Sequence, residues 1–262
     1  MDKIEKISGL YSVETCNCYG NPPFALTVCG DCIDGMRSLP DKSVDCIISD
    51  LPYGCTKNKW DVQLPLDKLW NQYKRVIKDR GAIILFSQGM FTAALMMSNP
   101  GWWHYNMVWI KNKKTGFLNA RKQPLRVHED ICVFYKKAPV YHPVMSSGPR
   151  KVVSAYKSKL SSNYDKNFQP TGYDSDRRFP TSVLEYSSDS QFSHIHPTQK
   201  PVALLEYLIR LYTEKSDTIL DSCMGSGTTC IASARTGRNF IGFEIDKRYY
   251  KAAKQRIIEE LK

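Results

Sequence analysis

The chain has 262 residues, 42% hydrophobic and 24% charged, enough for one large α/β domain and too few for two. No stretch of about 18 or more apolar residues occurs, and the first ten residues lack the apolar core of an export signal, so no membrane span and a cytoplasmic location are expected. The formal net charge of +11 and a pI of about 9.1 favour a polyanionic partner.

The elements follow in chain order. Ala25 to Cys29 is an apolar run that reads as a strand, and Asp45 to Ser49 is a second one ending in a polar loop. Leu66, Leu69, Trp70, Tyr73 and Ile77 recur at helical spacing. Gly81 to Phe86 is a buried strand, Met90 to Met97 a helix, and Tyr105 to Ile110 and Ile131 to Tyr135 are strands. From Pro139 to Ser193 periodicity fades, and the segment reads as an irregular insertion rich in Ser, Tyr, Lys, Asn and Pro. Pro201 suits a first helical residue, and Val202, Leu205, Leu208, Ile209 and Tyr212 make its apolar stripe. Thr218 to Leu220, Thr228 to Arg235, Phe240 to Phe243 and Lys247 to Leu261 then read as strand, helix, strand and helix. Alternating strands and helices predict a mostly parallel twisted sheet covered on both faces, with ligands outside the carboxyl ends of its strands.

Two motifs fall at such ends. Asp221-Ser222-Cys223-Met224-Gly225-Ser226-Gly227-Thr228 follows a strand and opens a helix, and its glycines permit a tight turn and close approach to a ligand. Glu244 ends the next strand, where a carboxylate can accept from both hydroxyls of a ribose. No Gly-Lys-Ser/Thr follows, which excludes a phosphate-binding Walker loop, and the third glycine of the nicotinamide-dinucleotide fingerprint is missing. The second motif is Ser49-Asp50-Leu51-Pro52-Tyr53-Gly54. Asp50 and the Leu51 carbonyl are acceptors matched to an amino group with two hydrogens, Pro52 stiffens the loop, and Tyr53 offers a ring for stacking. The bland alternative is a strand-to-loop turn capped by Asp.

Together the two motifs resemble the amino-methyltransferases of DNA. Their order, base-holding loop before cofactor loop, resembles the permuted β class. His196-Pro197-Thr198-Gln199-Lys200-Pro201 looks like that class's lead-in motif, and Gly30-Asp31-Cys32 stands where the family places an acidic residue near the cofactor's adenine. The resemblance covers roughly residues 26 to 136 and 194 to 261. It departs from the family at Leu51, where proline is usual, and at Ser222-Cys223, where proline and an aromatic are common.

The resemblance implies a Rossmann-like α/β fold in a single catalytic domain, 1–262, with 139–195 as an inserted target-recognition region. It implies S-adenosylmethionine as cofactor, double-stranded DNA as substrate, a homodimer among the assemblies, and enzymes of restriction–modification as relatives. The reaction it implies is methylation of adenine N6 in a flipped-out base, since Asp at the motif's first position goes mostly with adenine and Ser mostly with cytosine. Methylation of cytosine N4, and a non-catalytic DNA- or nucleotide-binding protein of the same fold, are the alternatives. Asp50, Leu51, Pro52 and Tyr53 are then the catalytic set. Asp31, Cys32, His196, Thr198, Lys200, Asp221, Gly225, Ser226, Gly227, Thr228 and Glu244 surround the cofactor, with Lys200 paired to its methionine carboxylate.

DNA contacts are expected from basic segments. Lys111, Lys113, Lys114, Arg121, Lys122 and Arg126 lie in a stretch without acidic residues, and Lys57 and Lys59 follow the base-holding loop. Arg150, Lys151, Arg177 and Arg178 belong to the basic, aromatic-interleaved part of the insertion. The nine cysteines read as reduced thiols. Cys16, Cys18, Cys29 and Cys32 form two close pairs, but Cys29 closes an apolar run rather than a turn, so no metal site is expected.

Overall fold

The structure is a computed structural model that describes residues 13–15, 24–55, 61–153, 172–187 and 199–261. Its strands are β1 (Val13–Thr15), β2 (Ala25–Cys29), β3 (Val44–Asp50), β4 (Ile77–Ser87), β5 (Trp103–Thr115), β6 (Arg126–Phe134), β7 (Ser146–Val153), β8 (Tyr173–Arg178), β9 (Val183–Glu185), β10 (Thr218–Asp221) and β11 (Asn239–Glu244). The helices are α1 (Cys32–Met36), α2 (Leu66–Val76), α3 (Met90–Ser98), α4 (Val202–Tyr212), α5 (Thr228–Arg235) and α6 (Lys247–Glu260).

Nine strands form one sheet in the order β1-β2-β11-β10-β3-β4-β6-β5-β9. The five from β2 to β4 are parallel; β6 pairs antiparallel with β4 and β5, and β9 lies parallel to β5. Strand alternation splits the core in two. Cys46, Ile48, Ile84, Phe86, Ile131 and Val133 point to the face covered by α4, α5 and α6, whereas Ile47, Ile83, Leu85, Cys132 and Phe134 point to the face covered by α1, α2 and α3. In α4 the stripe Leu204, Leu205, Leu208 and Ile209 is wholly buried, each side chain contributing roughly 1.5–3 kcal/mol of transfer free energy.

Three local expectations are corrected. Strand β4 starts at Ile77, directly after α2, because Ile77 turns extended (ψ 139°) as the helix's closing residue. Pro201 precedes α4 as its N-cap in extended geometry instead of forming its first turn. The described part of the segment expected to be irregular contains three strands. Residues Pro143–Thr181 form a separate unit in which β7 and β8 pair antiparallel, while β9 belongs to the main sheet. No described helix is long and apolar enough to cross a membrane. Among the described residues no group of acidic, histidine or cysteine side chains could hold a metal; Cys16 and Cys18 lie outside them.

Candidate active site

Parallel strands start together and end together, so β2, β11, β10 and β3 deliver their last residues to one edge of the sheet. Those residues are Cys29, Glu244, Asp221 and Asp50, each followed by a loop. A cavity of about 740 Å³ opens there, lined by both sequence motifs at once, Asp50 to Tyr53 on one side and Asp221 to Ser226 on the other. That volume lies in the range of small-molecule and cofactor sites.

Loop 222–227 turns back through Gly225 and Gly227, both with positive φ (51° and 75°) that favours glycine. Glu244 fastens it: Oε2 accepts from Gly225 N at 3.0 Å and Oε1 from Asp246 N at 2.9 Å. Arg256 of α6 reaches underneath, donating to the Ser226 carbonyl at 3.1 Å and to Thr228 Oγ1 at 3.0 Å. Asp221 is buried and accepts from Ser49 Oγ (2.9 Å) and Cys223 N (3.1 Å). Burial pushes its carboxyl up to about 6, against the donors Thr229, Cys223 N and Ser49 that favour the anion. Ser222, where the family commonly has proline, joins Ser49 (2.9 Å) and Tyr73 (2.6 Å) in a hydroxyl cluster. Asp31 caps α1 by accepting from Asp34 N at 3.0 Å, and Cys32 is buried at the cavity wall.

The other side is ionic. Asp50 Oδ1 accepts from Tyr53 Oη at 2.7 Å, and Oδ2 accepts from Lys200 Nζ at 2.5 Å. Lys200 also lies 3.1 Å from Glu129 Oε2, and Lys111 lies 2.8 Å from Glu129 Oε1. Two carboxylates and two ammoniums thus form a neutral cluster. The side chains of Lys200, Lys111 and Glu129 are only 9%, 9% and 14% exposed. Burial raises the Asp50 carboxyl above its usual range, partly opposed by Lys200 and reinforced by Glu129. Burial also pushes Glu129 upward, but Lys200 and Lys111 outweigh it and hold that carboxyl below its usual range. The Lys200 ammonium rests 5.0 Å from the Phe86 ring centre, within cation–π range. Tyr53 stacks on Phe91 (centroids 5.1 Å apart, planes at 28°), and Leu51 is buried. Asp61 closes the loop by accepting from Gly54 N (2.8 Å) and Cys55 N (2.9 Å).

Most of the residues singled out in the sequence therefore converge: Asp31, Cys32, Asp50, Leu51, Pro52, Tyr53, Lys200, Asp221, Gly225, Ser226, Thr228 and Glu244 all line the cavity, with Gly227 in the turn beside them. Two are placed differently from expectation. Lys200 is paired with Asp50, because two carboxylates, Asp50 and Glu129, flank it there. Lys111 is buried against Glu129, because its position on β5 turns it into the cavity. Lys113, Lys114, Arg121, Lys122 and Arg126 are exposed, Arg126 being steadied by Gln88 at 2.8 Å. In the separate unit, Lys151 and Arg177 are exposed, Arg150 pairs with Asp174 at 2.5 Å, and Arg178 donates to the Pro149 carbonyl across the hairpin. His196, Thr198, Lys57 and Lys59 lie outside the described residues. Glu129 and Asp61 were not singled out in the sequence. No local sequence signal marks Glu129, which is set opposite Trp109 only by the register of β6 against β5.

Comparison with known proteins agrees with this geometry. Residues 44–255 match the model of the N6/N4 methyltransferase family, described as DNA methylase. The chain is 25% identical over 265 residues to the type II methyltransferase M.HinfI of Haemophilus influenzae, covering 88% of the chain and 67% of that protein. Among solved structures, M1.HpyAVI in complex with SAM matches with a TM-score of 0.61 at 24% identity, over 89% of this chain and 98% of that one. The PvuII DNA methyltransferase, cytosine-N4-specific, matches with a TM-score of 0.66 at 15% identity, over 95% of each chain.

Proposed function

The chain belongs to this family of S-adenosylmethionine-dependent DNA methylases, and from that premise we propose that it methylates the N6 amino nitrogen of adenine in double-stranded DNA. The observation that carries the reading is Asp50. It stands at the carboxyl end of β3, beside Tyr53 and across the cavity from the Gly225 turn and Glu244.

The residues present fit the cofactor. Glu244 is an anchored carboxylate of the kind that accepts from ribose hydroxyls, Asp31 and Cys32 border the adenine end, and the carboxylates of Asp221 and Asp50 suit a cationic ligand. Bound there, S-adenosylmethionine supplies an already activated methyl group. The protein's own work is positioning and electrostatics.

An exocyclic amino nitrogen is a weak nucleophile because its lone pair is delocalised into the ring. Asp50 and the Leu51 carbonyl accept its two hydrogens, which draws the nitrogen toward tetrahedral geometry and localises the pair. Asp50 then takes the proton that the nitrogen gives up on becoming a methylamine. A carboxyl raised by burial is suited to that role. Oδ2 must first be vacated, and Glu129 is already within 3.1 Å of the Lys200 ammonium to receive it. The base reaches the site only by leaving the duplex stack. The hairpin unit, with Lys151 and Arg177 exposed, serves target recognition.

The test is Asp50→Ala. Methyl transfer to DNA falls by about 100-fold or more, while S-adenosylmethionine binding, measured by calorimetry, stays within roughly threefold, below 1 kcal/mol. Undiminished turnover by that variant removes the basis of the mechanism.

A further inference from the structure

Between Lys111 and Arg126 the β5–β6 pair leaves the body of the sheet. Along β6, Arg126 lies three residues beyond Glu129, which places the arm about 10 Å past the ion cluster at 3.3 Å per residue. At its tip Gly116 adopts a left-handed conformation (φ 91°) and starts the single turn Phe117–Asn119. That turn presents two adjacent large apolar side chains to solvent: Phe117 is 65% exposed and Leu118 fully exposed. Around them Lys113, Lys114, Arg121 and Lys122 are all exposed, and no acidic residue occurs from 112 to 128. The foot of the arm belongs to the cavity, since Lys111, Lys113, Thr115 and Arg126 line it.

Each feature alone is ordinary; the combination selects one partner. Exposed apolar side chains gain by entering an apolar medium, and a ring of cations gains beside a polyanion. A protein surface offers the first without the dense charge. Duplex DNA offers both, as stacked bases between two phosphate rails. We propose that Phe117 and Leu118 form a wedge that enters the base stack of the substrate duplex and fills the gap left by the extruded target base, with Lys113, Lys114, Arg121 and Lys122 on the flanking phosphates. The inference rests on the proposed reaction and deepens it. Extruding a base costs its stacking and pairing. Side chains that occupy the vacated step replace part of that stacking and keep the base from falling back.

The test separates the wedge from the reaction. The target site is first mapped by sequencing plasmid DNA methylated by the wild-type protein. Synthetic duplexes carrying that site are then prepared with either the normal pair or a mismatch at the target base, since a mismatched base is already partly released. Single-turnover methylation is measured for wild type, for the double variant Phe117→Ala/Leu118→Ala, for the conservative Leu118→Met, and for Met90→Ala as an exposed apolar control on α3. The double variant should be slower on the paired duplex by about 10- to 100-fold, equivalent to roughly 1.4–2.7 kcal/mol. On the mismatched duplex it should recover to within about threefold of wild type, a difference below one decade. Leu118→Met and Met90→Ala should stay near wild type on both. Equal loss on both duplexes, no loss on the paired duplex, or a change of sedimentation state in place of a change in rate would overturn the wedge. A wild-type protein that methylates no duplex DNA would instead overturn the reaction beneath it.

Discussion

Replacing Glu129 by glutamine should destabilise the protein by upsetting a charge balance that is local and buried. In the wild type, Asp50 and Glu129 offset Lys200 and Lys111, with N–O distances of 2.5, 3.1 and 2.8 Å. Glu129→Gln keeps the size and removes one charge, leaving two ammoniums, each 9% exposed, against the single carboxylate of Asp50, 26% exposed. Removing one partner of a buried pair costs roughly 3–5 kcal/mol. Glutamine still offers a carbonyl oxygen to one lysine, so the lower end, about 3 kcal/mol, is expected. For a chain of this size, at roughly 2–4 °C per kcal/mol, the melting temperature drops by about 6–12 °C. The deficit has a predictable pH dependence. The Glu129 carboxyl is held below its ordinary 4.5 by Lys200 and Lys111 against the upward push of burial. Its stabilisation is therefore present above 4.5 and lost as pH falls through the lower folded value, where wild type and variant converge. Adding Lys111→Met to Glu129→Gln restores neutrality and should recover at least half of the loss. Thermal unfolding followed by circular dichroism between pH 4 and 8 is the assay. A single variant within about 2 °C of wild type at pH 7.5, under 1 kcal/mol, or a double variant no better than the single, would refute the balanced-cluster argument.

Two other perturbations bear on the cofactor side. A cationic cofactor favours the ionised form of Asp221, whose folded value of about 6 stands above the ordinary 3.8. Its dissociation constant should be flat above about pH 6 and rise by up to about tenfold per unit below it. The contribution of the same group to the cofactor-free protein's stability has the opposite sense, being full below 3.8 and lost as pH rises through about 6. Calorimetry from pH 5 to 8 checks the first, and a constant that does not change across pH 6 contradicts it. Glu244→Ala removes the acceptor for Gly225 N and Asp246 N as well as the acceptor proposed for the ribose hydroxyls. It should weaken cofactor binding by about 10- to 100-fold; unchanged affinity would place the sugar elsewhere.

Much of the fold was legible because its signals are local. The short apolar runs at Ala25–Cys29 and Asp45–Ser49, the stripe of α4, and the glycine turn before α5 each carry their own geometry. The hairpin β7–β8 and strand β9 were not legible, since β7 and β8 are polar, β9 is only three residues long, and their pairing is with distant segments: Val183 with Val108, Val153 with Tyr173. At the site, Asp50, Asp221 and Glu244 could be read because each ends a strand of a parallel sheet, and such strands end together. The ion cluster could not. Lys111 sits in a run of six basic residues that suggests phosphate contact, and nothing local distinguishes it from Lys113. Only the register of β5 against β6 turns it onto Glu129. Lys200 likewise meets Asp50 across 150 residues of sequence.

The central claim is a methyl group delivered to the amino nitrogen of adenine. Its most direct test is incubation of the protein with S-adenosylmethionine labelled in the methyl group and mixed-sequence duplex DNA, followed by digestion and nucleoside mass analysis. The label is expected in N6-methyl-2′-deoxyadenosine and absent from the Asp50→Ala control; label in N4-methyl-2′-deoxycytidine, or in no nucleoside despite cofactor binding, would contradict the claim.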